Sequence, residues 1–246
     1  MLPSSRLWYL MTRANWSTIF LTLILLPAFS LSADDVAPRD RYALHLEARP
    51  AATFPFLDQL GKVEIEVYPQ GVRANSHWLD GFLRTGENTI RIENPALRLY
   101  SDASFEGLRS LFGKLRPEDE KSPSFKELKV VETGRRGTIK KLPARCRRIV
   151  LGKDAWIDVW TTTALARNPA YERLQIELLS AISPKLTNAM QRIPGTVLHV
   201  VINTRNHPET VLLTTREFYL SSAGHEEALE TGRFFLKAPS LDRLLK

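Results

Sequence analysis

The stretch that most constrains the fold is residues 144–161, which has the pattern of two β-strands joined by a tight turn. A Gly-Lys-Asp sequence supplies the turn, and apolar, β-branched and aromatic residues flank it on both sides. A three-residue loop places Arg148 opposite Asp158 and Cys146 opposite Trp160, so that opposite charges pair across the strands. A shift of one residue would lose both matches. The stretch therefore predicts an antiparallel hairpin within a curved sheet that has one face on a core.

Alternation of polar and apolar residues predicts further strands. The clearest is residues 62–68, where Val63, Ile65 and Val67 alternate with charged residues. Turn residues separate most of the other segments, which indicates consecutive hairpins. These other expected strands are residues 41–48, 72–79, 82–84, 89–93, 96–100, 128–132, 197–204, 211–220 and 234–236.

Apolar residues at helical spacing predict a helix over residues 105–115, with Ser104 as its N-cap. A second helical stretch covers residues 169–191, and Pro184 is expected to divide it. A short helical tail is expected over residues 241–245. Runs of strands that alternate with helices favour an α+β fold, in which helices pack on one face of a mostly antiparallel sheet.

The N-terminus has the pattern of a secretory signal peptide over residues 1–33, followed by a single domain over residues 34–246. Arg6 and Arg13 precede a short apolar run, and cleavage is expected near Ser30 or Ala33. Met11 would open a more ordinary signal peptide than Met1, and an uncleaved anchor is the alternative. This pattern predicts a periplasmic or secreted protein.

Charge and cysteine content narrow the class of protein further. The formal net charge of the whole chain is +7, and removal of residues 1–33 takes away two arginines and leaves +5. Cys146 is the only cysteine, so an intramolecular disulfide is excluded and stability must come from an apolar core. We expect Cys146 to be a small buried hydrophobe on its strand.

This layout resembles the LolA-like half-barrels, exported bacterial proteins with a strongly curled antiparallel sheet and helices in its concave face. It is most similar to an uncharacterised branch with a strand cysteine, a short turn, a Trp near the end of the next strand, a helical lid, a late strand pair and a closing apolar–apolar–x–x–Pro. The resemblance covers residues 62–246 and rests on Cys146, residues 152–154, Trp160, and residues 169–191, 196–220 and 235–239. The Gly that usually precedes the Cys is absent, and Pro143 and Ala144 stand there instead.

No catalytic, metal or cofactor motif is present in the sequence. The five histidines form no His-x-x-x-His or Glu-x-x-His pattern, and the chain lacks a phosphate-binding loop, a dinucleotide fingerprint and a Gly-x-Ser-x-Gly motif. We therefore predict no cofactor, no metal and no catalytic residue, although a triad assembled from distant residues stays open.

Two sets of residues are candidates for binding. The first is a run of cations without an acid, which is either a solvated edge that prevents aggregation or a contact for lipid headgroups or an acidic partner. The second is a set of aromatic residues that either belongs to the core or lines an apolar ligand groove. The cations are Arg135, Arg136, Lys140, Lys141, Arg145, Arg147 and Arg148, and the aromatic residues are Trp78, Phe82, Trp156 and Trp160.

Three functions remain open on the sequence. The first is a non-catalytic exported binding protein that carries a lipid, an acyl chain or a lipidated peptide in its concave face, under the helices. The second is a cell-envelope protein–protein interaction module that uses the basic run or a sheet edge, and the third is a hydrolase with a dispersed site. The expected partners are a lipid or lipoprotein, an envelope protein or a membrane surface, and nucleic acid is not expected. A large apolar cavity would favour the carrier, and a filled core would favour the interaction module.

Overall fold

The computed structural model describes residues 38–39, 41–49, 61–115, 128–205, 207–220, 235–239 and 243–244. All of them belong to one compact unit, Ala37–Lys246. The predicted signal peptide and most of the predicted helical tail lie outside the described residues.

In the described part of the chain, twelve strands form one sheet. The order of the strands in it is β12-β6-β5-β4-β3-β2-β1-β11-β10-β9-β8-β7, and all neighbours are antiparallel except β12 and β6. The strands are β1 (Tyr42–Ala48), β2 (Val63–Tyr68), β3 (Gly71–Asn75), β4 (Asp80–Arg84), β5 (Thr89–Asn94), β6 (Leu99–Ser104), β7 (Lys129–Ile139), β8 (Leu142–Val150), β9 (Ala155–Thr162), β10 (Thr196–Thr204), β11 (His207–Leu220) and β12 (Leu236–Lys237).

The sheet is open, because its order runs from β12 at one edge to β7 at the other. Among the described residues, three helices accompany it: α1 (Phe105–Leu115), α2 (Pro169–Ile182) and α3 (Pro184–Gln191). The predicted α+β class is therefore confirmed at the level of a large, mostly antiparallel sheet with few helices. Within the described ranges, none of these helices has the length and apolar character needed to cross a bilayer.

The two faces of the sheet differ in character. Paired residues such as Leu44, Val67, Val72 and Leu83 share one face, which we call the core face. Buried helical residues belong to the same cluster, among them Phe105, Tyr171, Leu174 and Leu186. Alternate residues of each strand lie on the opposite face, which we call the outer face. The helices and the core face therefore build one continuous apolar core.

Local signals in the sequence account for the helix boundaries. The Ser104 hydroxyl accepts a hydrogen bond from the Gly107 N–H at 3.1 Å, as expected for the predicted N-cap. The Asn168 side chain accepts one from the Tyr171 N–H at 2.9 Å, and Pro169 opens α2. Pro184 begins α3 directly after Ser183, which confirms the predicted division.

The main departures from the predicted elements lie in the strands with little apolar alternation. The strand expected over residues 72–79 ends at Asn75, and the short strand expected over residues 128–132 extends to Ile139. The added part of β7 contains Gly134, Arg135, Arg136 and Gly137, which give no period-two signal. Pairing with β8, and not the character of its own residues, holds this segment in the sheet.

Candidate functional site

The basic segment of the sequence forms the hairpin β7–β8 at one edge of the sheet. The predicted register of β8 and β9 is confirmed, with Arg148 opposite Asp158 and Cys146 opposite Trp160. The β7–β8 hairpin itself was not foreseen. We call residues 129–150 the basic hairpin, since they hold eight cations and one acid.

Two arginines and two tryptophans surround one buried carboxylate on the outer face. Arg148 binds Asp158 through two hydrogen bonds, Nε to Oδ1 at 2.7 Å and Nη2 to Oδ2 at 3.0 Å, and Arg135 Nη1 donates to Oδ2 at 3.0 Å. Asp158 is only 3% exposed. The Arg148 guanidinium lies 4.6 Å from the ring centre of Trp156, and that of Arg135 lies 5.1 Å from Trp160. We call these five residues the arginine–tryptophan cluster.

A bulge in β7 brings Arg135 into this cluster. The register of β7 and β8 shifts between Glu132 and Arg136, and Gly134 adopts a φ of +69° there. The Thr133 hydroxyl stabilises the bulge, because it donates to the Cys146 carbonyl at 2.6 Å and accepts from the Arg135 N–H at 3.2 Å. The bulge therefore turns the Arg135 side chain toward Asp158.

Cys146 lies in the middle of β8 and is buried, as expected. Burial raises the pKa of its thiol above the ordinary value. A buried thiol with a raised pKa is a poor nucleophile. The cysteine is therefore a packing residue beneath the bulge.

The seven candidate cations fall into two groups. Arg135 and Arg148 bind Asp158, while Arg147 donates from Nε to Glu132 at 2.6 Å. The Asp158 hydrogen bond is the main reason that the pKa of Arg148 is raised. Arg135 and Arg148 therefore bind the basic hairpin to β9, and Arg147 joins β8 to β7.

The remaining cations lie toward the tip of the basic hairpin. Lys140 and Lys141 form its two-residue turn, with φ values of +49° and +68°. Both values lie in the left-handed region, which a two-residue hairpin turn requires and for which glycine and asparagine are preferred. Arg136 lies directly opposite Arg145 in the register. In the part of the chain that the structure describes, no carboxylate lies within ion-pair distance of Arg136, Lys140 or Lys141.

The four aromatic candidates are not brought together. Phe82 is buried on the outer face with Ala43 and Tyr68, and Trp78 is 44% exposed in the loop before β4. Five strands separate β4 from β9, which carries Trp156 and Trp160. Both tryptophans alternate with the core-face residues Ile157 and Val159, so they lie on the outer face, where Trp160 also packs against residues of the main apolar cluster.

A small cleft opens beside the helices. Its volume is about 40 Å³, and it lies between α2, α3 and the start of β10, lined by Tyr171, Leu179, Met190 and Val197 among others. Pockets for drug-sized ligands have volumes of roughly 300–1,000 Å³. The cleft is therefore too small, in this conformation, for an acyl chain.

Among the described residues, no three His, Cys, Asp or Glu side chains come close enough together to hold a metal ion. His45 lies 3.9 Å from both Glu66 and Glu217 on the outer face, and the Tyr219 hydroxyl donates to Glu217. His199, on β10 opposite Trp160, has a lowered pKa because burial disfavours its charged form.

Comparison with known proteins gives no family. No family model and no curated protein matches the chain. Among solved structures, the chain is similar to an uncharacterized conserved protein from Thermus thermophilus, at 7% identity and a TM-score of 0.42, over 85% of this chain and 95% of that one. It is similar to PNGF-II at 12% identity and a TM-score of 0.32, over 83% of this chain and 32% of that one. It is similar to MucB at 10% identity and a TM-score of 0.33, over 83% and 62% respectively.

Proposed function

We propose that this protein is a non-catalytic, exported interaction module that binds an acidic partner protein through the basic hairpin. The observation that carries the proposal is the placement of Arg136, Lys140 and Lys141 at the exposed tip and edge of a long hairpin, without a carboxylate among the described residues to neutralise them. Uncompensated charge of one sign raises the association rate of an oppositely charged partner.

Two unfavourable local features support a functional reason for this charge. Non-glycine residues in the left-handed region are strained, and like charges directly opposite each other in a sheet repel. The first feature is found at Lys140 and Lys141, which have positive φ values. The second is found close by, where Arg136 lies opposite Arg145. Local rules of stability are most often broken at functional sites.

The lipid-carrier hypothesis has less support. The core face is filled by the main apolar cluster, the cleft beside α2 and α3 is small, and Trp156 and Trp160 lie on the outer face. A carrier would need the helices to move away from the sheet. Native mass spectrometry of the purified protein tests this alternative, since a retained lipid would favour the carrier.

The proposal includes the LolA-like architecture and export. In it, the open sheet is a half-barrel, the helices fill its concave face, and the outer face and the basic hairpin are left for contacts. The predicted signal peptide over residues 1–33 would direct the protein to the periplasm or the medium. An acidic envelope protein is then the expected partner.

Binding of a fluorescein-labelled poly-glutamate peptide, measured by anisotropy, tests the function. We expect the Kd to rise with salt, because the charges are exposed. Lys140→Glu should weaken binding by roughly fivefold to tenfold at low salt, from the lost and reversed charge. Lys153→Glu, in the exposed β8–β9 turn, is the matched control and should have a smaller effect. Equal effects of both variants, or no binding at low salt, would contradict the proposal.

A further inference from the structure

Among the described residues, the edge strand β7 has a neighbouring strand, β8, on one side and none on the other. It is the last strand in the sheet order, and eight of its eleven residues are exposed. A strand in this position has a row of N–H and C=O groups that point away from its only neighbour. Such an edge can accept a further strand from another chain.

The turn of the basic hairpin identifies which backbone groups point outward. A two-residue turn makes Ile139 and Leu142 the closing pair, which exchange both backbone hydrogen bonds. Along an antiparallel pair of strands, hydrogen-bonded residue pairs alternate with pairs that are not hydrogen-bonded. The next pair, Thr138 and Pro143, is therefore not hydrogen-bonded, and the Thr138 N–H and C=O point away from β8. Pro143 has no N–H to donate, which agrees with its place in a pair that is not hydrogen-bonded. Arg136 lies two residues before Thr138 and therefore also directs its N–H and C=O to the open side.

The side chains along this edge favour one class of partner. The basic hairpin carries eight cations and one acid, and that acid, Glu132, is bound to Arg147. Arg136 follows the bulge, and Lys140 and Lys141 follow Thr138, so the outward backbone groups lie between exposed cations. A strand paired with this edge would place its alternate side chains beside these cations, where carboxylates would be attracted and cations repelled.

We propose that an acidic, extended segment of a partner protein adds to β7 as a thirteenth strand, paired through the backbone of Arg136 and Thr138. This inference rests on the proposed function and specifies how the partner binds. The backbone hydrogen bonds supply affinity for an extended chain, and the flanking cations select an acidic one. The bulge before Arg136 interrupts the edge, so the paired segment is confined to the part of β7 near the tip.

A second copy of this chain is a poorer occupant. Two β7 strands related by a twofold axis would bring Arg136, Lys140 and Lys141 of one copy close to the same cations of the other. Like charges that face each other across a strand pair are destabilising. The edge is therefore protected against self-association by the same charges that favour an acidic partner.

The test compares two labelled peptides of equal charge and about nine residues, a usual strand length. In one, Glu alternates with Val or Thr, so that it can extend as a strand; the other is poly-glutamate with an uncharged Gly-Ser extension. We expect the alternating peptide to bind at least fivefold more tightly by anisotropy. On binding, the amide hydrogens of Arg136 and Thr138 should become protected from hydrogen exchange.

A pair of variants isolates the backbone contribution. Thr138→Pro removes one outward N–H without removing a hydrogen bond to β8, and it should weaken binding of the alternating peptide by about fivefold, the equivalent of one hydrogen bond. Thr138→Val keeps the N–H and should bind as tightly as the wild type. Circular dichroism checks the fold of both variants. If Thr138→Pro is unfolded, the exchange measurement on the wild type decides the question.

The outcomes separate the two proposals. Equal binding of both peptides, without protection at Arg136 and Thr138, would overturn strand addition and leave an acidic partner in place. Absence of binding by either peptide at low salt would overturn both proposals. Binding of phosphatidylglycerol vesicles or a single-stranded oligonucleotide in preference to both peptides would also overturn both, since it would indicate a membrane or nucleic-acid contact.

Discussion

Asp158 is the residue on which the arginine–tryptophan cluster depends. Its buried carboxylate accepts two hydrogen bonds from Arg148 and one from Arg135, and each guanidinium also lies against a tryptophan ring. The sequence alone indicated the Arg148 contact through the register of the hairpin. It did not indicate Arg135, because the bulge that directs this side chain leaves no clear pattern.

Replacement of Asp158 by Ala should lower the free energy of unfolding by roughly 2–4 kcal/mol, because two cations lose a buried partner. In double-mutant cycles with Arg148→Ala and Arg135→Ala, we expect the larger coupling, about 1–2 kcal/mol, for the two-bond Arg148 contact. Arg135 is 51% exposed and forms one bond, so its coupling should be below about 1 kcal/mol. Urea denaturation measures both couplings, and an Arg135 coupling as large as that of Arg148 would contradict this account.

Glu47 is a second buried carboxylate on the outer face, and it is 4% exposed. Arg216 donates to Oε2 from Nε at 2.8 Å and from Nη2 at 2.6 Å, and Arg49 donates to Oε1 at 3.0 Å. Lys62 lies 3.4 Å from Oε2. Burial alone raises the pKa of Glu47, but the three cations together outweigh it and hold the pKa below its ordinary value.

A lowered carboxyl pKa in the folded state predicts a pH-dependent contribution to stability. The contribution is complete above the unfolded value, near 4.5, and is lost as the pH falls through the lower folded value. Glu47→Gln should therefore lower the free energy of unfolding by roughly 1–3 kcal/mol at pH 7 and by less at a pH of about 2–3. Glu64→Gln is the control, since this exposed residue forms a surface ion pair with Lys62 and should change stability by under about 0.5 kcal/mol. Urea denaturation at both pH values measures these differences. A loss of stability for Glu47→Gln that is the same at both pH values would contradict the prediction.

At the scale of elements, the connection from α3 into β10 depends on Gly195. This residue adopts a φ of +94°, and a Cβ placed on it would lie 2.5 Å from the Thr162 carbonyl oxygen. The left-handed conformation and the close approach to β9 both require glycine. The connection thereby fixes where the helices return to the sheet.

Gly195→Ala should lower the free energy of unfolding by roughly 2–4 kcal/mol, since the added methyl group meets a backbone atom in a strained conformation. Gly152→Ala in the β8–β9 turn is the matched control. A Cβ there meets no atom within 4 Å, and we expect a change within about 0.5 kcal/mol. Thermal or urea denaturation compares the two variants, and similar losses would indicate that glycine content as such is responsible.

At the scale of the whole molecule, the two faces of the open twelve-stranded sheet differ in composition. Its core face and helices share one apolar cluster, while its outer face and the β7 edge carry partnered and exposed charges. The main apolar cluster therefore stabilises one side of the sheet, while the buried carboxylates Asp158 and Glu47, with their arginine partners, stabilise the other. The predicted export depends on residues 1–33 and not on the sheet.

We expect the exported protein to begin near Leu31 or Asp34, because the small residues before them match signal-peptidase sites. Intact mass and N-terminal sequencing of protein from the periplasm or medium measure this directly. Recovery of the chain with Met1 or Met11 intact, in the membrane fraction, would instead support an uncleaved anchor.

The sequence by itself determined the features that depend on local patterns. Alternation placed β1 and β2, and helical spacing with the Ser104 cap and the Pro184 break placed α1 to α3. Turn residues with matched charges gave the register of β8 and β9. Tertiary structure alone decided which distant strands are neighbours, because the pairing of β1 with β11 and of β9 with β10 depends on long-range burial. It also decided that β7 extends to Ile139, that its bulge directs Arg135 to Asp158, and that Trp160 packs against the main apolar cluster from the outer face. These outcomes depend on backbone partners far along the chain, which no local pattern records.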